Sequence, residues 1–396
     1  MSFHIKLCHI HIREKKKKRG KDAAQLLLIW GKRGEEMSKY KVCVYAISKN
    51  EEQFVDRWMD AVSEADLVVV LDTGSTDETV NKLRARGAIV YEEKVHPWRF
   101  DVARNKALDY VPIDVDICVS NDLDEVFEQG WRNKLEETWQ PFYTRAKYMF
   151  TWSYNTDGSP DKQFVMEKIH ARNHFRWVHP VHEVLEYNGK EIDQSVAIYD
   201  IVLNHYPDLT KSRGQYLSLL ELSAEENPMD DRTIFWLGRE YMYYNKYDAC
   251  IATLKKHLAL PTATWDEERS ASMRFISNSY KELGNMVEAK AWLYRAIAEC
   301  SYVREPYLYM AKLAYSEENW ELLFFATKKG LEIKERSESY LVESECWEYI
   351  LEDYAAISCY YLGLYEKAYE HAIRACELLP NDSRLENNKK LIKAKL

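Results

Sequence analysis

The spacing of apolar and polar residues divides this chain into two parts. Between residues 41 and 130, short apolar runs typical of buried strands alternate with segments whose apolar residues recur at helical spacing. The predicted strands are 41–47, 67–71, 88–91 and 116–119. The predicted helices are 54–62, 77–86 and 101–110. Such alternation predicts an α/β unit, a mostly parallel sheet with helices on both faces.

From about residue 212 the pattern becomes helical throughout, and a repeat is visible. Small residues and tyrosines recur around turns at equivalent positions 245, 284, 318 and 363, which are 39, 34 and 45 residues apart. These units resemble tetratricopeptide repeats (TPRs), helix pairs of about 34 residues. A generic helical bundle is the alternative. The pattern predicts a basic, disordered arm over 1–38, an α/β domain over 39–211 and an all-α TPR-like domain over 212–396.

Composition and charge exclude several classes of protein. The net charge is −9, yet residues 1–39 carry 11 Lys/Arg and 4 Asp/Glu, so the remainder is strongly acidic. An acidic body argues against a nucleic-acid partner. The eight cysteines include no C-x-x-C pair, which favours reduced thiols and a cytoplasmic protein. No apolar run approaches the ~18 residues of a transmembrane segment.

Polar clusters follow three of the predicted strands. They are the segments 49–52, 72–77 and 122–124. Because the carboxyl ends of parallel strands meet at one edge of a sheet, we expect these clusters to lie together. Asp122 and Asp124 provide oxygen ligands for a hard divalent cation that also contacts phosphates. The alternative for 72–79 is a helix cap, and for 49–52 a solvated helix start.

Four stretches in this part resemble a known enzyme family. They are Ile47-Ser-Lys-Asn-Glu-Glu52, Asp72-x-Gly-Ser-x-Asp-x-Thr79, Ala103-Arg-Asn-x-Ala107 and Asp122-x-Asp-Glu125. In order and spacing they resemble family-2 glycosyltransferases, whose nucleotide-sugar-binding domain has the Rossmann-like GT-A fold. A TPR tail behind such a domain is similar to the subgroup that includes the sublancin-type peptide S-glycosyltransferases.

The resemblance implies roles for individual residues. Asp122 and Asp124 would hold Mg²⁺ or Mn²⁺ against a diphosphate, with Asp124 also counted as catalytic. The nucleotide-sugar pocket would be lined by Lys49, Asn50, Glu51, Asp72, Gly74, Ser75, Arg104, Asn105 and Asp122. For Arg104, a surface ion pair is the alternative.

A histidine–glutamate pair lies in the apolar stretch Val178–Leu185. A similar Val-His-Glu occurs in the TPR-linked subgroup, which implies that His182 is a third metal ligand and Glu183 the general base. The alternative for His182 is a buried histidine whose ring nitrogens form hydrogen bonds within the core. His205 lies at the end of a strand-like run. The sequence supports a ligand and a core residue equally at this position.

The resemblance implies that the protein is a metal-dependent inverting glycosyltransferase. The donor is a nucleoside-diphosphate sugar, with a UDP-sugar favoured, and the acceptor is a peptide, a protein or a glycan. The repeats offer a concave surface for a partner or for self-association. The alternatives are a TPR scaffold without activity and a nucleotidyltransferase. The latter is disfavoured because the 49–52 loop has no glycine.

Overall fold

The computed structural model describes residues 40–155, 157–208 and 214–396. The predicted basic arm over residues 1–38 lies outside the described residues. The predicted boundary between the two domains, after residue 211, falls outside them as well.

Four strands and three helices alternate at the start of the described chain. The strands are β1 Val42–Ser48, β2 Leu67–Asp72, β3 Ile89–Glu92 and β4 Ile117–Ser120. The helices are α1 Val55–Ala61, α2 Thr79–Ala85 and α3 Phe100–Asp109. Each element begins and ends within two residues of its prediction. The continuous apolar runs of β1 and β4 are buried throughout their length, with one intermediate residue in β1, as expected for inner strands.

The sheet continues beyond these elements. The chain adds β5 Glu125–Phe127, α4 Trp131–Thr138, β6 Arg145–Tyr154, β7 Pro160–Ala171, β8 Phe175–Val178, β9 Val184–Tyr187 and β10 Ser195–His205. Eight strands form one sheet in the order β3-β2-β1-β4-β7-β6-β10-β5, and β8 pairs with β9 separately.

The predicted fold class, a Rossmann-like GT-A domain, is wrong for this part of the chain. Strands β1 to β4 are parallel as expected, but β7 is antiparallel to both β4 and β6, and β5 is antiparallel to β10. The physical reason is that the α/β alternation ends near residue 130. After it, β6 and β7 follow each other without a crossover helix, and strands joined that way pair antiparallel.

The remaining chain is helical. Its helices are α5 Tyr216–Glu226, α6 Asp231–Tyr243, α7 Tyr247–Ala259, α8 Asp266–Glu282, α9 Met286–Glu299, α10 Glu305–Ser316, α11 Trp320–Glu332, α12 Ile350–Tyr361, α13 Tyr365–Leu378 and α14 Ser383–Lys393. A short 3₁₀ helix, Ser344–Trp347, precedes α12. Helices α6 to α13 form four consecutive hairpins, which confirms the predicted helical repeat.

The turns inside these hairpins share one backbone geometry. Asn245, Gly284, Glu318 and Gly363 all have positive φ, between 54° and 77°. In each turn the next residue's N–H donates to a carbonyl five residues back, for example Asn285 to Tyr280 at 2.8 Å. The residue just past the end of each first helix therefore has the left-handed backbone conformation, in which glycine carries no steric penalty. The four positions that the sequence marked as equivalent are therefore equivalent in conformation.

Residues 42–396 form one compact unit, in which the loop between β8 and β9 packs on the first helices. Val181 is buried in one apolar cluster with Leu217, Leu220 and Leu237. The carbonyl of His182 accepts a hydrogen bond from Arg232 at 3.2 Å. Helices α5 and α6 therefore hold the loop that carries the predicted histidine–glutamate pair.

Candidate functional site

The three polar clusters lie at one edge of the sheet. Strand β1 pairs with β2 on one side and with β4 on the other, with Ser48 opposite Asp72 and Tyr45 opposite Ser120. All three strands run in the same direction, so the loops that follow them emerge side by side. The predicted proximity of these loops is confirmed.

The Asp72 carboxylate is enclosed by its own loop. Its Oδ1 accepts hydrogen bonds from the backbone N–H groups of Gly74 at 3.0 Å and Ser75 at 2.8 Å. Its Oδ2 accepts from the hydroxyls of Ser48, at 2.9 Å, and Ser75. The residue is 2% exposed. Asp72 therefore shapes the turn, and Gly74, with φ at +113°, supplies the backbone conformation that the turn requires.

The loop after β1 interlocks with the Asp72 loop. The N–H of Asn50 donates to Ser75 Oγ at 2.8 Å, and Asn50 Oδ1 accepts from the N–H of Thr76 at 2.8 Å. The N–H of Glu51 donates to Thr79 Oγ1 at 2.7 Å. Lys49 and Asn50 are exposed at the rim. Residues predicted to line a nucleotide pocket are thus brought together, and their contact with a nucleotide stays a prediction.

Arg104 links helix α3 to two carboxylates. Its Nη1 and Nη2 donate to the two oxygens of Asp122 at 2.7 and 2.8 Å, and its Nε donates to Glu183. The guanidinium also lies over the ring of Trp177, 5.1 Å from its centroid. The side chain is 7% exposed. Arg104 is therefore a buried bridge between carboxylates and not the surface ion pair that was the alternative.

Asn105 fixes the position of helix α3. Its side chain donates to the carbonyl of Trp177 at 2.8 Å and accepts from the N–H of Trp177 at 2.9 Å. This reciprocal pair docks α3 on β8 and orients Arg104 next to it. The position of Asn105 in this structure is that of a scaffold residue; its predicted contact with a nucleotide sugar stays a prediction.

A second buried cation completes the cluster. Lys168 Nζ lies 3.0 Å from Glu125 Oε1 and 3.6 Å from Asp122 Oδ2. Burial raises the pKa of Asp122, but the charges of Arg104 and Lys168 outweigh it and hold that pKa below its usual value. Burial likewise raises the pKa of Glu125, and Lys168 offsets only part of that rise.

His205, and not His182, lies beside the acidic pair. His205 Nε2 is 3.4 Å from Asp124 Oδ2, because β10 pairs with β5 so that His205 stands opposite Glu125. Its ring stacks on Trp152 at 4.5 Å. Burial lowers the pKa of His205, but the hydrogen bond and charge of Asp124 raise it more, so the net shift is upward.

The ring of His182 lies in a different environment. It stacks on Trp236 at 4.3 Å and on Tyr216 at 5.7 Å. Its backbone φ is +52°, an uncommon conformation for a residue other than glycine. Its neighbour Glu183 reaches Arg104. His182, the predicted metal ligand, is thus part of the contact with the helical region. Glu183, the predicted general base, is part of the Arg104 cluster.

The donor set of the cluster fits a divalent cation. Asp122, Glu125 and Glu183 pair with two side-chain cations, Arg104 and Lys168, while Asp124 lies beside His205. A carboxylate has about four lone-pair sites, so Asp122 can accept from Arg104 and still bind an ion. In the described ranges, Asp122 and Asp124 belong to no tight three-ligand group of His, Cys, Asp and Glu. Mg²⁺ commonly takes one or two carboxylates and completes its shell with phosphate oxygens and water.

Lys168 is the residue of this cluster that the sequence analysis missed. It lies in β7, where Met166, Lys168 and His170 alternate with residues of the opposite face. A lysine and a histidine two residues apart in a long strand were the available signal. The apolar Ile169 lies between them.

Comparisons with known proteins find similarity for part of the chain. No protein-family model matches the sequence, and no curated protein matches it either. Among solved structures, the chain is similar to Cut9 in the APC/C hetero-tetramer Cut9–Hcn1, with 14% identity and a TM-score of 0.36, over 46% of this chain and only 33% of that one. It is similar to MamA with 19% identity and a TM-score of 0.34, over 48% of this chain and 99% of MamA. It is similar to PilF of Pseudomonas aeruginosa with 11% identity and a TM-score of 0.35, over 45% of this chain and 72% of PilF.

The three structures named above are TPR proteins. Within the described ranges, no helix is both long and apolar enough to cross a bilayer. The chain has a TPR-containing helical region, which is made of four consecutive helical hairpins.

Proposed function

We propose that the edge of the sheet binds a nucleoside-diphosphate sugar with a divalent cation and transfers the sugar to an acceptor. The observation that carries the proposal is the Arg104–Asp122–Asp124–His205 cluster next to the interlocked loops after β1 and β2. The proposal depends on these side chains and not on membership of a fold family, since one function recurs on unrelated folds.

Each part of the cluster has a chemical task in this proposal. Asp122 and Asp124 would hold Mg²⁺ or Mn²⁺, with His205 positioning Asp124, and the ion would supply charge neutralisation at the departing diphosphate. Arg104 holds Asp122 and Glu183 in fixed positions by charge-assisted hydrogen bonds. In a single displacement, the acceptor atom bonds to the anomeric carbon while the bond to the diphosphate breaks with its electron pair. Glu183 would accept the acceptor's proton.

The second candidate is a TPR scaffold or binding protein without activity. The comparisons favour it over sugar transfer, because every similarity named above is to a TPR protein. One of those matches is described as a hetero-tetramer, and repeat superhelices present extended concave surfaces to partners. In our proposal the helical region would hold a peptide, protein or glycan acceptor, or a second copy of the chain.

Donor turnover separates the two candidates. The wild-type chain is incubated with a panel of nucleotide sugars and Mn²⁺, and release of nucleoside diphosphate is measured. We expect turnover with at least one donor, its loss with chelator and its loss in D124N. D109N is the matched control, because Asp109 is an exposed carboxylate paired with Arg176 far along α3. Absence of release for every donor, or equal release by D124N and wild type, contradicts the proposal.

A further inference from the structure

Three side chains on successive helices of the first repeats converge on one point. Asp231 in α6, His257 in α7 and Glu268 in α8 place one ligand atom each within 4.8 Å of the others. Within the described ranges, this is the group of three His, Cys, Asp or Glu residues whose ligand atoms lie this close to one another. None of them belongs to the cluster at the sheet edge.

His257 directs an unpartnered nitrogen into this group. The residue is fully buried, and Glu268 is only 6% exposed. His257 Nδ1 lies 2.9 Å from Ser272 Oγ, whereas Nε2 has no hydrogen-bond partner among the described residues. Nε2 lies 3.3 Å from Glu268 Oε1. A buried polar atom without a partner is costly, which indicates that something else satisfies it.

The geometry and the surroundings fit a metal ion. Two ligands bound about 2.0 Å from a tetrahedral Zn²⁺ lie about 3.3 Å apart, which matches the separation of Nε2 and Oε1. The outer contacts are those of a metal site as well. The ring's other nitrogen is bound to Ser272, and Tyr340 donates to Glu268 Oε2 at 2.8 Å. Such contacts fix the tautomer and orient the ligands.

We propose that Asp231, His257 and Glu268 form a zinc site with water in the fourth position. The donor set of one imidazole and two carboxylates suits Zn²⁺ better than Mg²⁺, which prefers oxygen ligands alone. Asp231 is partly exposed and gives the ion and the water a route from solvent. Because its ligands come from α6, α7 and α8, the ion ties the first helical hairpin to the second. Helix α6 also carries Trp236, on which His182 stacks.

Zinc titration of the full chain tests this site. Metal-stripped protein is titrated with Zn²⁺ by calorimetry, and its melting temperature is recorded with and without the ion. We expect one equivalent per chain and a rise in melting temperature on the order of 5 °C, because the ion binds only the folded state. H257Q and E268Q should each bind Zn²⁺ at least about tenfold more weakly.

Two control variants make the result specific. H371Q removes another histidine paired with a glutamate, since His371 Nδ1 lies 2.5 Å from Glu352 Oε2, and it should bind Zn²⁺ like wild type. D124N removes the cation ligand of the proposed transfer site and should also leave Zn²⁺ binding unchanged. A failure of sugar transfer therefore leaves the zinc result intact. If a core variant does not fold, D231N replaces a partly exposed ligand and must show the same loss.

Two outcomes would overturn the site. Absence of zinc binding by the wild-type chain means that the three side chains do not form a metal site. Equal binding by wild type, H257Q, E268Q and D231N means an adventitious ion only.

Discussion

Arg104 donates to both carboxylate oxygens of Asp122, at 2.7 and 2.8 Å, from a side chain that is 7% exposed. The same guanidinium donates to Glu183. Arg104 of helix α3 thereby joins the end of β4 to the loop between β8 and β9, which packs on helices α5 and α6. The sheet edge and the loop between β8 and β9 consequently meet at a buried charge network.

Removal of Arg104 should destabilise the protein strongly. R104A leaves two carboxylates in the buried cluster without their main partner, which typically costs roughly 3–5 kcal/mol. R176A is the matched control, because Arg176 pairs with Asp109 on the exposed surface and such pairs contribute about 1 kcal/mol or less. Urea unfolding of both variants measures the difference. Equal, small losses would show that the Arg104 pair is not structurally important.

Two phenylalanine substitutions decide which histidine supports the cation site. H182F keeps a ring between Tyr216 and Trp236, whereas H205F keeps a ring on Trp152; both lose their nitrogens. Given the position of His205 beside Asp124, we expect Mn²⁺-dependent donor turnover to persist in H182F and to fall at least about tenfold in H205F. The reverse pattern would support the ligand role that the sequence implied for His182.

The stability of the protein should fall in acid because of His170. Burial lowers the pKa of His170 to about 3. Its ring is neutral in the fold, with Nδ1 bonded to the carbonyl of Ala171 at 2.7 Å and Nε2 to the hydroxyl of Tyr45 at 3.0 Å. The unfolded chain binds a proton below about pH 6.5 and the folded chain does not until about pH 3. Stability should therefore decline over that window.

The size of this decline can be isolated with a variant. His170 should contribute a slope of at most about 1.4 kcal/mol per pH unit. H170Q keeps an acceptor for Tyr45 but cannot ionise, so its free energy of unfolding should lack that slope. Denaturant titrations from pH 7 to pH 3 compare the two proteins. Parallel pH profiles would mean that His170 does not remain neutral in the fold.

The repeat turns predict opposite effects of two substitutions. Glu318 has φ at 54° and Gly284 has φ at 77°. E318G relieves a left-handed residue and should stabilise the protein by roughly 0.5–1 kcal/mol. G284A should destabilise it by about 1 kcal/mol through backbone conformation alone, since a Cβ there meets no atom within 4 Å. Thermal melts of both variants check the signs. A loss in E318G would contradict the equivalence of the turns.

The sequence predicted the helices, the strands and the proximity of the loops at the sheet edge better than it predicted how the strands pair. The apolar runs identified β1 to β4, and the spacing of small residues identified the turns at Asn245 and Gly363. The directions of β5, β6, β7 and β10 could not be predicted, because they depend on strands distant in the sequence. His205 reaches Asp124 only through the β10–β5 register, whereas the place beside the acidic pair was assigned to His182 from the resemblance of the Val-His-Glu stretch. Lys168 reaches Glu125 and Asp122 in the same way, through pairing of β7 with β4.

Calorimetric titration of UDP tests the central claim most directly. The claim is that a cation held at Asp124 binds a nucleoside diphosphate at the edge of the sheet. We predict that Mn²⁺ strengthens UDP binding to the wild-type chain at least about tenfold, or about 1.4 kcal/mol, and that D124N abolishes this gain while D109N retains it. UDP affinity that is unaffected by both Mn²⁺ and the Asp124 substitution would contradict the account.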